Sequence, residues 1–217
     1  MKKQDLFFIL GPELISYRLN RWFGYKDFQP ITLTYSVTAA CQSKCKTCQI
    51  GAMFCQDPSR AKKDLRLDEI EKIFKNMRPV YFFNMSGGEP FLRPDLPEIV
   101  ELACKYIKPR VVHTPTNGIM TERIAEHTEK IIRIVRQYDK NVPVTVKPSI
   151  DGVGKLHDEI RGVEGNFNQL LKTIVSLKRL EDCYDNFHLE LGTVVSNFNI
   201  DYLDEIEDFV HGLGVES

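Results

Sequence analysis

Along residues 30–210 the apolar positions switch between a period of two and a period near 3.6, and the switching lays out alternating strands and helices. Pro30 to Val37 (PITLTYSV) is β-branched and aromatic, so it reads as a strand. Leu67, Ile70, Phe74 and Met77 recur at helical spacing. Val80 to Asn84 is a second strand, and Pro94 then opens a helix at a position proline tolerates. Leu96, Ile99, Val100, Ala103 and Ile107 form that helix's apolar face. Val111 to Pro115 is a third strand, followed by a helix from about Thr121 to Tyr138 with Ile124, Thr128, Ile131 and Val135 as its stripe. Val144 to Ile150 is a fourth strand. Asn166 is placed as the N-cap of a helix carrying Leu170, Leu171, Ile174, Leu177 and Leu180. His188 to Val195 is a fifth strand, and Ile200 to Val210 a last helix.

Five βα units in a row imply an α/β fold with a parallel sheet and covering helices, open or barrel-like. In a parallel barrel, function gathers at the C-terminal ends of the strands. After the last helix, Gly212-Leu213-Gly214-Val215 stands where a sixth strand is expected, and the sequence stops at Ser217. The expectation is therefore a partial (β/α)6 TIM-like barrel, truncated after about five βα units, whose core domain runs over 30–217 with its C-terminal part missing. Residues 1–29 precede the first strand and are expected to form an N-terminal cap segment. Within it, 14–25 (LISYRLNRWFGY) mixes apolar and aromatic residues with Arg18 and Arg21. That segment reads either as a helix packed on the barrel's base or as a membrane-surface helix serving a lipid substrate.

Strand parity makes a second statement. Thr145, Lys147 and Ser149 share one face of the fourth strand, and Val144, Val146 and Ile150 share the other. Helices cover the outside of a barrel, so the apolar face belongs outside and Lys147 inside. On the fifth strand Glu190 shares a face with Gly192. A buried lone ammonium is costly and a paired one much less so. The expectation is a Lys147–Glu190 pair in the lumen, or Lys147 facing an anionic substrate group; the alternative is Lys147 in solvent at the lower rim.

Charge changes the picture by exclusion. The 217 residues carry 29 basic and 30 acidic side chains, and a chain that balanced is no dedicated nucleic-acid binder. No apolar run reaches the roughly 18 residues of a membrane span. Lys2 and Lys3 precede an apolar run at Leu6 to Leu10 that Gly11 and Pro12 close, too short for a signal peptide. A cytoplasmic location is expected.

The cysteines bring in the chemistry. Of six, Cys41, Cys45 and Cys48 form a C-x3-C-x2-C cluster on the loop after the first strand; Cys55, Cys104 and Cys183 lie apart. Clustering argues for metal rather than a disulfide framework. Three thiolates on one loop can ligate three irons of a cubane and leave the fourth open. A metal with an open position is catalytic, by the logic that holds for zinc. Cys55 is either a free thiol or a fourth ligand, and the triplet alone also fits a zinc site completed from elsewhere. The second strand ends in Met85-Ser-Gly-Gly-Glu-Pro90, where Gly87 and Gly88 permit close backbone approach to a ligand and Glu89 can accept from an ammonium. The fourth strand and its loop read Ser149-Ile-Asp151-Gly152, then His157-Asp158, then Arg161-Gly162; Thr116-Asn117-Gly118 closes the third.

These three motifs, at the ends of the first, second and fourth strands, resemble those of the radical S-adenosylmethionine superfamily over residues 31 to about 215. They are closest to its molybdopterin-precursor, sulfatase-maturing and peptide-modifying (SPASM-like) members. One departure is Thr47, where members usually carry an aromatic residue before the third cysteine. The resemblance implies that Cys41, Cys45 and Cys48 ligate a 4Fe–4S cluster. It implies that Gly87, Gly88 and Glu89 bind the methionine amino group, and that Ser149 and Asp151 lie near the ribose and methionine. Arg161 would approach the carboxylate, unless it merely pairs with Asp158 or Glu159, and Asn117 would border the adenosine, unless it is a plain turn. His157 reads as a loop-packing residue. The implied reaction is reductive cleavage of S-adenosylmethionine to a 5′-deoxyadenosyl radical, which abstracts hydrogen from a peptide, small-molecule or lipid substrate. A flavodoxin- or ferredoxin-type reductant is implied as partner. The rival readings are an iron–sulfur electron carrier and a metal-bound module without turnover.

Overall fold

The computed structural model describes residues 3–24 and 30–215. Helix α1 (Lys3–Phe23) comes first, then strand β1 (Thr32–Thr38), short helix α2 (Ile50–Gln56) and helix α3 (Leu67–Lys75). Strand β2 (Phe82–Gly87), α4 (Leu96–Tyr106), β3 (Val111–Thr116) and α5 (Thr121–Tyr138) follow. Then come β4 (Val144–Pro148), α6 (Lys155–Arg161), α7 (Asn166–Cys183), β5 (Phe187–Leu189) and α8 (Leu203–Leu213). All neighbouring strands are parallel and lie in chain order, β1-β2-β3-β4-β5, as right-handed βα crossovers produce. The sheet is an open arc of a barrel.

Parity decides what each strand buries. Val37, Phe83, Met85, Val112, Val144, Val146, Phe187 and Leu189 face the helices and are essentially inaccessible. They pack on Ile70 and Phe74 of α3, Ile99 and Ala103 of α4, Ile124 and Ile131 of α5, Leu170 and Leu177 of α7, and Ile206 and Val210 of α8. Each such side chain contributes about 1.5–3 kcal/mol on burial. The opposite faces register as lumen layers. One layer is Thr34, Asn84, His113, Thr145 and His188, each paired with the next across the sheet.

Four features depart from the sequence expectations. Residues 50–56 and 155–161 are short helices in stretches read as loops, because one or two turns carry too few apolar positions to show a period. Asn166 is not a cap. Gly165 precedes α7 in left-handed backbone, and the Asp158 carboxylate accepts from the N–H groups of Gly165 and Phe167, both at 2.7 Å. Asn166 instead is buried and donates through Nδ2 to the Asn117 carbonyl at 3.0 Å. Strand β5 stops at Leu189, short of Val195, and backbone hydrogen bonds from Glu190 and Gly192 with a Ser149–Gly192 bridge carry the pairing only as far as Gly192. Beyond that bridge the Val194 N–H turns to the Asp151 carboxylate at 2.9 Å instead of the sheet.

On α1, Leu14, Ile15, Leu19, Trp22 and Phe23 are exposed, and no described side chain of this helix belongs to the core cluster. No described helix is long and apolar enough to cross a membrane.

Candidate active site

The loop from Ala39 to Cys48 is held on every side by the rest of the chain. At its start, Asp64 accepts from the Thr38 hydroxyl at 2.5 Å and the Ala39 N–H at 3.0 Å. The end of β2 donates to it, from Gly88 N–H to the Thr38 carbonyl and from Glu89 N–H to the Ala40 carbonyl, both at 2.8 Å. Asn117 donates to Ser43 Oγ at 3.0 Å. The C-terminal end of α6 receives it: the Lys44 N–H donates to the Arg161 carbonyl and the Lys46 N–H to the Ile160 carbonyl, at 3.1 and 2.8 Å.

Close packing explains the glycines here. A Cβ on Gly88 would lie 2.1 Å from the Ala40 carbonyl oxygen, and one on Gly51 would lie 1.6 Å from that of Ser43. Gly87 adopts φ +122, which only glycine tolerates, and its Cβ would lie 2.5 Å from the Thr38 carbonyl oxygen. Close approach at Gly87 and Gly88 is therefore first of all to the cysteine loop.

Cys41, Cys45 and Cys48 line one pocket at the C-terminal ends of the strands, together with Ser86, Gly87, Gly88, Glu89, Pro115, Thr116, Asn117, Ser149 and Arg161. Burial pushes the Cys41 thiol up to about 11 and raises that of Cys45. Both stay protonated at neutral pH until a metal displaces the proton. Among the described residues no three His, Cys, Asp or Glu side chains converge as they would on a single ion. A zinc ion needs every sulfur about 2.3 Å away, whereas a cubane takes each thiolate on a separate iron. Cys55 is exposed on α2 and does not line the pocket; Cys104 is buried elsewhere and Cys183 exposed at the end of α7.

Glu89 is fully buried and accepts from Phe91 N–H, Thr116 Oγ1 and Asn117 N–H at 3.2, 2.9 and 2.7 Å. Desolvation still raises it to about 7, against those hydrogen bonds. Its carboxylate ties the end of β2 to the end of β3. Arg161, 11% exposed, pairs with the fully buried Asp151 at 3.1 Å rather than with Asp158 or Glu159. Its Nε is buried without a hydrogen-bond partner, in a side chain lining the cysteine pocket. His157 is buried, accepts from the Asp151 N–H at 3.2 Å and is lowered to about 4 by burial, so it packs the loop as a neutral ring.

The pocket thus brings together the three cysteines, Gly87, Gly88, Glu89, Asn117, Ser149 and Arg161. Asp151 stands behind Arg161. Lys147 and Glu190 lie in the lumen 3.6 Å apart.

Several residues of this site escaped the sequence. Asp64 and Thr38, Ser43, and Asn199, which is buried and donates to the carbonyls of Asp151 and Val194, carry no local pattern because their partners are distant in sequence. Gly51, an isolated glycine three residues after Cys48, was the one visible hint.

The family model described as the Radical SAM superfamily matches residues 35–210. The chain is 29% identical over 181 residues to the mycofactocin maturase MftC of Mycobacterium tuberculosis, covering 81% of this chain and 40% of that protein. It is 30% identical over 151 residues to the pre-heme d1 synthase of Dinoroseobacter shibae, covering 70% of this chain and 34% of that one. Among solved structures, "Native anSMEcpe with bound AdoMet" superposes with a TM-score of 0.58 at 17% identity, over 85% of this chain and 49% of that one. The chain thus spans less than half the length of each of these proteins.

Proposed function

The chain belongs to the radical SAM superfamily, and from that membership we propose that Cys41, Cys45 and Cys48 bind a 4Fe–4S cluster beside a site for S-adenosylmethionine. When bound, the two supply one-electron cleavage of a carbon–sulfur bond and a 5′-deoxyadenosyl radical that takes hydrogen from a substrate. The observation that carries the reading is the shared pocket: the three cysteines and the Arg161 side chain line one cavity.

The chain's own residues have separable tasks. The clamped loop presents three thiols in a preformed arrangement, so little ordering is left for binding. Arg161, oriented by Asp151, offers a planar donor to the methionine carboxylate. The β2 end provides backbone groups for the amino group, with Glu89 holding that segment against β3. Ser149 and Asn117 line the side toward the nucleoside. A flavodoxin- or ferredoxin-type protein supplies the electron.

Anaerobic reconstitution tests this. Cys41→Ala, Cys45→Ala and Cys48→Ala should each lose the bound iron and the reductive formation of 5′-deoxyadenosine, and Cys55→Ala should keep both. Loss of the cluster in Cys55→Ala would favour the four-thiolate electron carrier instead.

A further inference from the structure

The lumen layer next to the cofactor pocket is Ser36, Ser86, Pro115, Lys147 and Glu190. Ser86 and Pro115 line the pocket itself. Ser36 registers with Ser86 and Pro115 with Lys147, while Glu190 follows Leu189, the partner of Val146. Lys147 and Glu190 are therefore at the level where a substrate must approach the cofactor.

Gly192 shows that Lys147 is placed there. Its backbone is not left-handed, so conformation does not call for glycine. A Cβ there would lie 2.6 Å from Lys147 Cε and 3.3 Å from Cδ, so the lysine stem lies across the bare backbone. The ammonium stands 3.6 Å from Glu190 Oε2, with the two side chains 38% and 41% exposed. So loose a pair in water contributes little to stability. Neither head group has a hydrogen-bond partner among the described residues, so Lys147 keeps its donors and Glu190 its acceptors.

The surroundings narrow what fits. One layer deeper, His113 registers between Asn84 and Thr145, with the Phe82 ring centroid at 5.5 Å. Burial lowers the His113 imidazole, with Glu190 opposing and Lys147 adding, and the side chains beside it, Asn84 and Thr145, are polar and uncharged. Asn84 Oδ1 is buried there without a partner. An anion entering this lumen meets Glu190, a cation meets Lys147, and an alkyl chain strands all three polar groups. A group with an acceptor and a donor side by side satisfies both ends of the pair.

We propose that Lys147 and Glu190 are the substrate-orienting pair, reading a dipolar group that carries an acceptor and a donor side by side: an amide or an amino-acid zwitterion. This rests on the radical SAM reading of the pocket above it.

The test measures binding without turnover. Reconstituted enzyme with S-adenosylmethionine and no reductant is titrated calorimetrically with a pool of N-acetylated, C-amidated tripeptides, a pool of free amino acids, and glycerol 3-phosphate and decanol as the anionic and apolar arms. One of the first two pools should bind, identifying the amide or the zwitterion. Lys147→Met and Glu190→Gln should each weaken it about tenfold, the effect of losing one charge-assisted hydrogen bond. Gly192→Ala should weaken it too by displacing the lysine stem, and Lys130→Ala on the outer helix surface should not. Binding confined to the phosphate or alcohol, binding of no pool, or equal loss of S-adenosylmethionine affinity in Lys147→Met overturns the proposal. Failure of the wild type to form 5′-deoxyadenosine under dithionite overturns the reading of the pocket instead, so the two failures are distinguishable.

Discussion

Gly88→Ala adds one carbon at the tightest point of contact between the end of β2 and the cysteine loop. The new Cβ would sit 2.1 Å from the Ala40 carbonyl oxygen, 2.6 Å from its carbon and 3.0 Å from Cys41 Cβ. Ordinary contact between such atoms is about 3.5 Å, so backbone must retreat by more than an ångström. The retreating carbonyl is the acceptor for the Glu89 N–H at 2.8 Å, and Glu89 is 1% exposed, so that hydrogen bond is lost where water does not replace it. Overpacking costs about 1–3 kcal/mol and an unsatisfied buried group a further 1–3, giving about 2–6 kcal/mol together. Against a typical stability of about 5–15 kcal/mol the domain still folds. Its Tm falls by about 4–24 °C, at about 2–4 °C per kcal/mol for a chain this long. Because Cys41 is attached to the displaced carbonyl, iron bound after reconstitution should fall below half that of the wild type. Gly212→Ala is the control: nothing lies within 4 Å of its Cβ and it sits inside α8, so the change should be neutral or stabilise by up to about 1 kcal/mol. Full iron content with an unchanged Tm in Gly88→Ala would refute the clamp.

Glu89→Gln tests the buried carboxyl: its folded value of about 7 lies above the ordinary 4.5, so its contribution is fully present below pH 4.5 and is lost as pH rises toward 7. The wild type should lose on the order of 3 kcal/mol across that window, and urea midpoints of the variant should lack this slope; identical pH profiles would contradict it. Arg161→Lys keeps the charge but loses the planar fork, and S-adenosylmethionine affinity should fall about tenfold by equilibrium binding; unchanged affinity would leave Arg161 as a partner of Asp151 only. Asn199→Ala strips the buried Asp151 carbonyl and the part-buried Val194 carbonyl of their donor, and urea unfolding should show a loss of about 1–3 kcal/mol; a change within about 0.5 kcal/mol would mean the loop repairs itself.

The apolar periods alone laid out the five βα units, and α5 was read over Thr121–Tyr138, its bounds in the structure. The C-x3-C-x2-C spacing and the Gly-Gly-Glu segment were legible for the same reason: their information is local, carried by residues a few positions apart. Parity along β4 likewise put Val144 and Val146 on the helix side without knowledge of any neighbour.

What only the tertiary structure decided is who meets whom across the sheet. Asn117 reaches Ser43 over 74 positions and Asn199 reaches Asp151 over 48, and no periodic signal marks either asparagine. The end of β5 was misread because Thr193, Val194 and Val195 have strand composition, while the Asp151 carboxylate captures the Val194 N–H and draws the chain out of the sheet. Gly88 reads in sequence as a turn or ligand-approach glycine, and Gly192 only as a neighbour of Glu190 on one strand face; in space they make room for the Ala40 carbonyl and the Lys147 stem. Burial is non-directional and patterned along the chain, so sequence displays it. Hydrogen bonds and close approaches are directional, and their partners exist only once the register of five parallel strands has been set.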